Sequence, residues 1–181
     1  MADPRNYHAQ EILKDCTPVT IRAIRTDDEE GIHDAFRALD REAVYRRFFT
    51  AKEDLTDAEL EQVTHLDFSQ IVALVATVSQ ADGEEIVVGD GRYFADNGDK
   101  PERAELGFLV AERYRKRGIA SLLLSHLARI AQDAGLSALE ADVLAYNAPM
   151  LAVLQRSGLP ISQRREGNII HVTLSLGAQT K

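Results

Sequence analysis

One stretch of the chain, from Ala104 to Leu144, restricts the possible folds more than any other. It reads as strand, long helix, strand. The apolar run from about Ala104 to Val110 suits a strand. Ile119, Leu123, Leu127, Ile130 and Ala134 then recur at helical spacing, with Ser121, Ser125, Arg129 and Gln132 on the opposite side. Gly135 ends that helix as a C′ residue, and Ala138 to Leu144 is extended again. Two strands joined by a helical crossover run parallel. The remaining strand signals are joined by tight turns and are antiparallel. Ile71 to Val78, the Asp82-Gly83 turn, Ile86 to Phe94, an Asn97-Gly98 turn and the 104–110 strand form a meander. A strand at Val19 to Ile24 precedes it. At the far end, Ile170, Val172, Leu174 and Leu176 alternate with His171, Thr173 and Ser175. One parallel pair within an antiparallel set defines an α+β fold with a mixed sheet.

Helices fill the gaps. Thr26-Asp27-Asp28-Glu29 fits a capping box ahead of Ile32, Ala35, Phe36 and Leu39, and Thr56-Asp57-Ala58-Glu59 fits another ahead of Leu60 and Val63. Between them, Tyr45-Arg46-Arg47-Phe48-Phe49 mixes aromatics with two cations that either line a groove or snorkel at a helix end. Asn147, Pro149 and Gly158 bracket a last helix. Residues 1–17 read as a polar tail or short helix, and 18–177 as one domain.

Composition narrows the function. A net charge of -8 argues against nonspecific nucleic-acid binding, which needs a basic surface. Cys16 is the lone cysteine, so neither an intrachain disulfide nor a cysteine zinc site can form, and a reducing, cytoplasmic setting is the default. The five histidines show no metal-ligand spacing, and no metal is expected. His126 borders the apolar stripe of the long helix and reads as a hydrogen-bonded structural residue. Gly89-Asp90-Gly91 has no helix behind it, which excludes a dinucleotide fold. No apolar run could span a bilayer, and the N-terminus lacks a signal-peptide core. No membrane association is expected.

The chemistry concentrates in Arg113-Tyr114-Arg115-Lys116-Arg117-Gly118-Ile119-Ala120-Ser121. Four cations and a glycine stand at the mouth of the long helix, where unsatisfied N–H groups and the positive end of the macrodipole already favour an anion. A diphosphate fits such a cradle.

Arg115-x-x-Gly118-x-Ala120 resembles the Arg/Gln-x-x-Gly-x-Gly/Ala signature of the GNAT acyltransferases. The resemblance extends to Ala104–Val110 upstream and Asn147–Gly158 downstream, about a third of the chain. It implies a mostly antiparallel sheet of six to seven strands flanked by about four helices. A narrower resemblance, to the catalytic domain of bacterial Pat-type protein lysine acetyltransferases, rests on Tyr45–Phe49, Thr64–Asp67, Val72–Ala76, Glu140–Leu144, Asn147 and Met150. It implies a stand-alone or excised catalytic domain.

From the resemblance follow acetyl-CoA as cosubstrate and an amine as acceptor, a lysine-bearing protein being favoured, with a homodimer left open. Amides from Arg117 through Gly118, Ile119 and Ala120 to Ser121 are expected to hold the coenzyme A diphosphate. Arg115 and Lys116 add charge, and the Ser121 hydroxyl adds a donor. The pantetheine arm is expected along Leu109 and Val110, with Asn147 near the thioester. Glu105 is the expected base, on one face with Gly107, whose small size leaves room for substrate. One departure stands out: Leu154 occupies the position where many relatives of this kind place an acidic tyrosine, and Tyr146 is a weak substitute. Two alternatives stay open, a small-molecule or antibiotic N-acetyltransferase and a low-turnover coenzyme A sensor.

Overall fold

The computed structural model describes residues 3–95 and 102–177. The anticipated Asn97-Gly98 turn lies outside them. Among the described residues, eight strands form one sheet and five α-helices flank it. The strands are β1 (His8–Ile12), β2 (Pro18–Ala23), β3 (Ile71–Ser79), β4 (Glu85–Ala95), β5 (Arg103–Val110), β6 (Ala138–Leu144), β7 (Ile161–Glu166) and β8 (Ile169–Ser175). The helices are α1 (Glu29–Arg37), α2 (Arg41–Phe48), α3 (Asp57–Thr64), α4 (Ile119–Asp133) and α5 (Ala148–Gln155). Strand order is β1-β2-β3-β4-β5-β6-β8-β7, and β5–β6 is the parallel pair. The mixed α+β architecture is as expected, with more strands and one more helix than anticipated.

The additional strands sit at the two sheet edges. Residues 8–12, within the stretch read as a polar tail or short helix, pair antiparallel with β2 from His8↔Arg22 to Ile12↔Pro18. Their alternation is shallow, half-buried against exposed, because an edge strand has little to bury. Every residue of β7 is exposed, so no apolar period marks it, and pairing with β8 alone defines it.

The two faces of the sheet carry different contents. On one face α4 presses Leu123, Leu124, Leu127 and Ala131 against Leu74, Leu106, Phe108 and Leu139. Gly91 makes this close packing possible: a Cβ there would stand 2.9 Å from the Phe108 ring and 3.2 Å from Leu123 Cβ. A Cβ on Gly89 would likewise meet Ile119 at 3.0 Å. The Gly89-Asp90-Gly91 run thus serves helix packing. The other face buries Ile24, Ile32, Leu60, Ala73 and Val75 under α1 and α3.

Local signals mostly decide the ends. Gly135, at φ 87°, closes α4, with the Leu136 amide donating to the Ala131 carbonyl at 3.0 Å. Thr56 and Glu59 cap α3 reciprocally. The Thr26–Glu29 box does not form. A 3₁₀ turn occupies Thr26–Asp28, and Asp28 accepts from the Arg25 amide at 2.7 Å. The buried Arg22 guanidinium grips the same carboxylate at 2.8 and 2.7 Å and also reaches Glu85 at 3.0 Å. Glu29, the residue the expected box required, accepts instead from the Thr64 hydroxyl at 3.1 Å. A buried guanidinium without carboxylates is costly, so Asp28 serves Arg22 and caps the turn together, one residue ahead of the expected box.

His126 is buried on α4 and joins that helix to the N-terminal strand. Arg129 donates to the Tyr7 hydroxyl at 2.5 Å, and that hydroxyl lies 2.6 Å from His126 Nδ1. The other ring nitrogen lies 3.1 Å from Glu11. With Tyr7 donating, the ring is neutral and protonated on Nε2. Burial pushes its pKa below the ordinary value, against the opposing pull of Glu11. The unfolded chain therefore takes up the proton first. The stabilisation is complete above about pH 6.5 and declines as the pH falls below it. Denaturant midpoints measured from pH 7.5 to 5.5 are expected to fall for the wild type and to fall less for His126→Gln. Parallel slopes would remove His126 from this role.

Candidate active site

The parallel strands separate soon after they meet. β5 and β6 pair only at Arg103↔Ala138, Ala104↔Leu139 and Glu105↔Glu140. Beyond Glu105 the β6-facing edge of β5, from Leu106 to Val110, has no strand partner, while its other edge stays paired with β4 through Gly89↔Val110. The wedge opens into a groove of about 700 Å³ walled by α2, the start of α4 and α5. Glu105, Leu109, Val110, Arg115, Lys116, Gly118, Ile119, Ala120, Ser121 and Asn147 all line it.

Gly118 stands immediately ahead of α4 with φ 103° and ψ 0°, a conformation that L side chains rarely adopt. The left-handed residue turns the incoming chain so that successive amides face one way. Among the described residues, no amide N–H from Arg117 to Ser121 finds an acceptor, and the first helical bond is Leu122 N–H to the Gly118 carbonyl at 3.0 Å. Lys116, also at positive φ (63°), is exposed and forms no ion pair among the described residues.

The cations around this row divide in a way the spacing alone did not show. Arg115 donates through Nε to the Val110 carbonyl at 3.3 Å and lies 3.5 Å from Asp40, bracing the loop to β5 and to the N-cap of α2. Arg117 turns its side chain away, pairing with Asp15, donating to Thr17 Oγ1 at 3.1 Å and stacking on Tyr114 at 4.9 Å. Alone among the predicted site residues it does not line the groove, and only its unbonded amide stands at the start of the row. The Thr17 hydroxyl, ahead of Arg117, holds the Asp15 carboxyl below its usual range. Lys14 was not foreseen. It reaches in from the β1–β2 connection, with its stem 3.6 Å from the Cβ position of Gly118. Its only sequence signal is a charge beside Asp15, which turn residues commonly carry.

At the other end of the wedge, Glu105 is exposed in the groove and makes no hydrogen bond or ion pair among the described residues. It shares a strand face with Gly107 and Leu109, as alternation requires. The space over Gly107 is not open, however. The Arg47 guanidinium fills it, with Nη2 2.4 Å from where a Cβ would be. Asn147 caps α5, accepting from the Met150 amide at 3.4 Å, and its side-chain NH₂ is unengaged among the described residues. Leu154 is fully buried in the core, so α5 presents Met150 and Val153 to the groove instead. Tyr146 is exposed and lies under Arg46, whose Cζ is 5.6 Å from the ring. No cluster of metal-ligating side chains occurs among the described residues.

A splayed parallel pair with a glycine-led helix across its mouth is the frame of an acyl-CoA acyltransferase. Residues 26–159 match the model of the Acetyltransferase (GNAT) family, and the chain belongs to that family. It is 31% identical over 130 residues to Acetyltransferase PA5475 of Pseudomonas aeruginosa, covering 71% of this chain and 67% of that protein. It is 32% identical over 117 residues to Acetyltransferase Pat of Mycolicibacterium smegmatis, covering 65% of this chain but only 34% of that longer protein. The GNAT domain of S. lividans PAT superposes with a TM-score of 0.81 at 29% identity, over 93% of this chain and 96% of that one.

The cradle depends on the backbone at Gly118. Gly118→Val is expected to weaken coenzyme A binding by calorimetry at least tenfold, about 1.4 kcal/mol. The thermal midpoint is expected to fall, because a β-branched residue at φ 103° strains the turn even though the space around that Cβ is open beyond Lys14, so affinity is compared at a temperature where the variant is folded. Unchanged affinity in a folded variant would contradict the cradle.

Proposed function

We propose that this chain moves the acetyl group of acetyl-CoA to a primary amine, with a protein lysine side chain as the favoured acceptor. One observation carries the reading. An unsatisfied amide row suited to a diphosphate and an unengaged carboxylate open into the same groove, with the bare edge of β5 between them. Diphosphate on the Arg117–Ser121 amides, with Lys116 and Lys14 adding charge and Ser121 a donor, leaves Leu106–Val110 to receive the pantetheine as an added strand. Asn147 stands across the wedge for the thioester end. Likeness to Pat-type proteins supports lysine as acceptor.

The chemistry follows from proton accounting. A lysine-type ammonium has a reference pKa of about 10.4 and is not a nucleophile near neutrality. Glu105 takes its proton, directly or through one water. The freed lone pair attacks the thioester carbonyl, forming a C–N bond, and the oxyanion is received by the amide of Leu109 or Val110. Collapse breaks the C–S bond. With a thiol pKa of about 8.5 the thiolate departs without strong acid assistance, so a core leucine at position 154 is tolerable. The amide product then sheds its extra proton to solvent.

Glu105→Gln is expected to lower kcat by roughly 10²- to 10⁴-fold in a thiol-release assay with an amine panel. Coenzyme A affinity should change less than twofold. Equal loss of both would remove Glu105 as the base. Tight coenzyme A binding without acceptor-dependent thiol release would favour a sensor over an enzyme.

A further inference from the structure

On the Glu105 face the groove holds a cation, Arg47, that forms no ion pair among the described residues. Arg47 projects from α2 onto β5, and its guanidinium rests in the notch that Gly107 leaves, 2.4 Å (Nη2) and 2.6 Å (Cζ) from the missing Cβ. Alternation places that notch on the Glu105 face, about 7 Å along the strand from Glu105. The α4 mouth packs on the opposite face, with Leu106 and Phe108. Arg46, its neighbour in α2, is held by Glu42 and by the Tyr146 ring. Arg47 stacks on Phe48 at 5.1 Å but reaches no carboxylate within ion-pair distance among the described residues. Asp90 and Glu105 act on it from a distance, but Asp90 is already engaged by Arg92 at 2.7 Å and Glu105 lies beyond ion-pair reach. Burial pushes the Arg47 guanidinium below its ordinary range, the mark of a cation short of compensation.

Guanidinium groups at half-buried sites are normally matched by carboxylates, because an uncompensated charge removed from water is unfavourable. The planar fork fits a carboxylate through two parallel N–H donors. We propose that Arg47 forms a carboxylate subsite for the acceptor, selecting amines that carry an acidic group beside the reacting nitrogen. In a protein acceptor this is a lysine next to glutamate or aspartate. The location of the acceptor rests on the acetyl-transfer reading above. The subsite also lets an acidic protein favour acidic-flanked targets, since the local cation acts at contact distance whereas the surface charges are screened within about 10 Å.

Calorimetry on the coenzyme A-loaded protein tests the subsite separately from catalysis. Two Nε-acetyl-lysine peptides serve as probes, one with glutamate on each side of the lysine and one with alanine. The acidic peptide is expected to bind the wild type about tenfold more tightly, and Arg47→Met to abolish the difference. Arg47→Lys should keep part of it. Gly107→Ala, which pushes the flexible guanidinium out of its notch, should reduce it with an unchanged melting temperature. Equal affinities in the wild type, failure of both peptides to bind, or a preference that survives Arg47→Met would each overturn the subsite. Rates with the unacetylated peptides separate the two readings. Transfer without preference contradicts the subsite alone, and preference in binding without transfer contradicts the acetyl-transfer reading alone. Equal rate loss on both peptides in Arg47→Met, with no binding preference, would assign Arg47 to the oxyanion and overturn the subsite.

Discussion

Two parallel strands that hydrogen-bond over three register pairs and then part company determine nearly everything else in this molecule. Backbone groups released where β5 leaves β6 must be satisfied by water or by a ligand. The divergence is held open from both sides. β4 keeps β5 in register to its last residue, and β8 holds β6 along its full length. Neither strand can drift back to close the gap without breaking an antiparallel ladder.

The long helix gives that gap its polarity. It lies tightly on the sheet because β4 offers Gly89 and Gly91 beneath it, and its position fixes where Gly118 aims the free amides. The N-terminal strand adds a second fastening. Tyr7 and Glu11 hold His126 of α4, while the Lys14 amide donates to the Arg117 carbonyl at 3.2 Å. Packing on one face thus sets the anion end of the groove. The other face, under α2, supplies Arg47 beside Glu105. A row of free amides and a carboxylate near a guanidinium open into one wedge because different layers of the fold build its two ends.

Much of this was legible in the sequence where one residue carries one physical demand. Gly118, Gly135 and the Asn147 cap each announce a backbone conformation, and the α4 stripe announces a buried helix face. Edge strands were not legible. β7 buries nothing, and β1 turns Ala9 and Glu11 inward while Ile12 is exposed, so neither shows an apolar period. Side-chain destinations were the harder part. Four cations in one loop look equivalent in sequence, yet Arg117 is claimed by Asp15 and Thr17, and Arg115 by Val110 and Asp40. The Thr26 box failed for a similar reason, since Glu29 is claimed by Thr64 of α3 and Asp28 caps the Arg25 amide while answering buried Arg22 of β2. Gly107 signalled space, but the sequence could not say that Arg47, sixty positions earlier, fills it.

Main-chain donors at the helix mouth and along the bare strand edge are the groups on which cofactor binding would depend. Following backbone amide resonances in ¹⁵N-labelled protein during a coenzyme A titration addresses those donors directly. The largest shifts are expected at Arg117–Ser121, with a second set along Leu106–Val110 and little change in β1 or β7. Saturating binding that leaves the 117–121 amides unmoved, or that concentrates its shifts elsewhere on the sheet, would contradict the account.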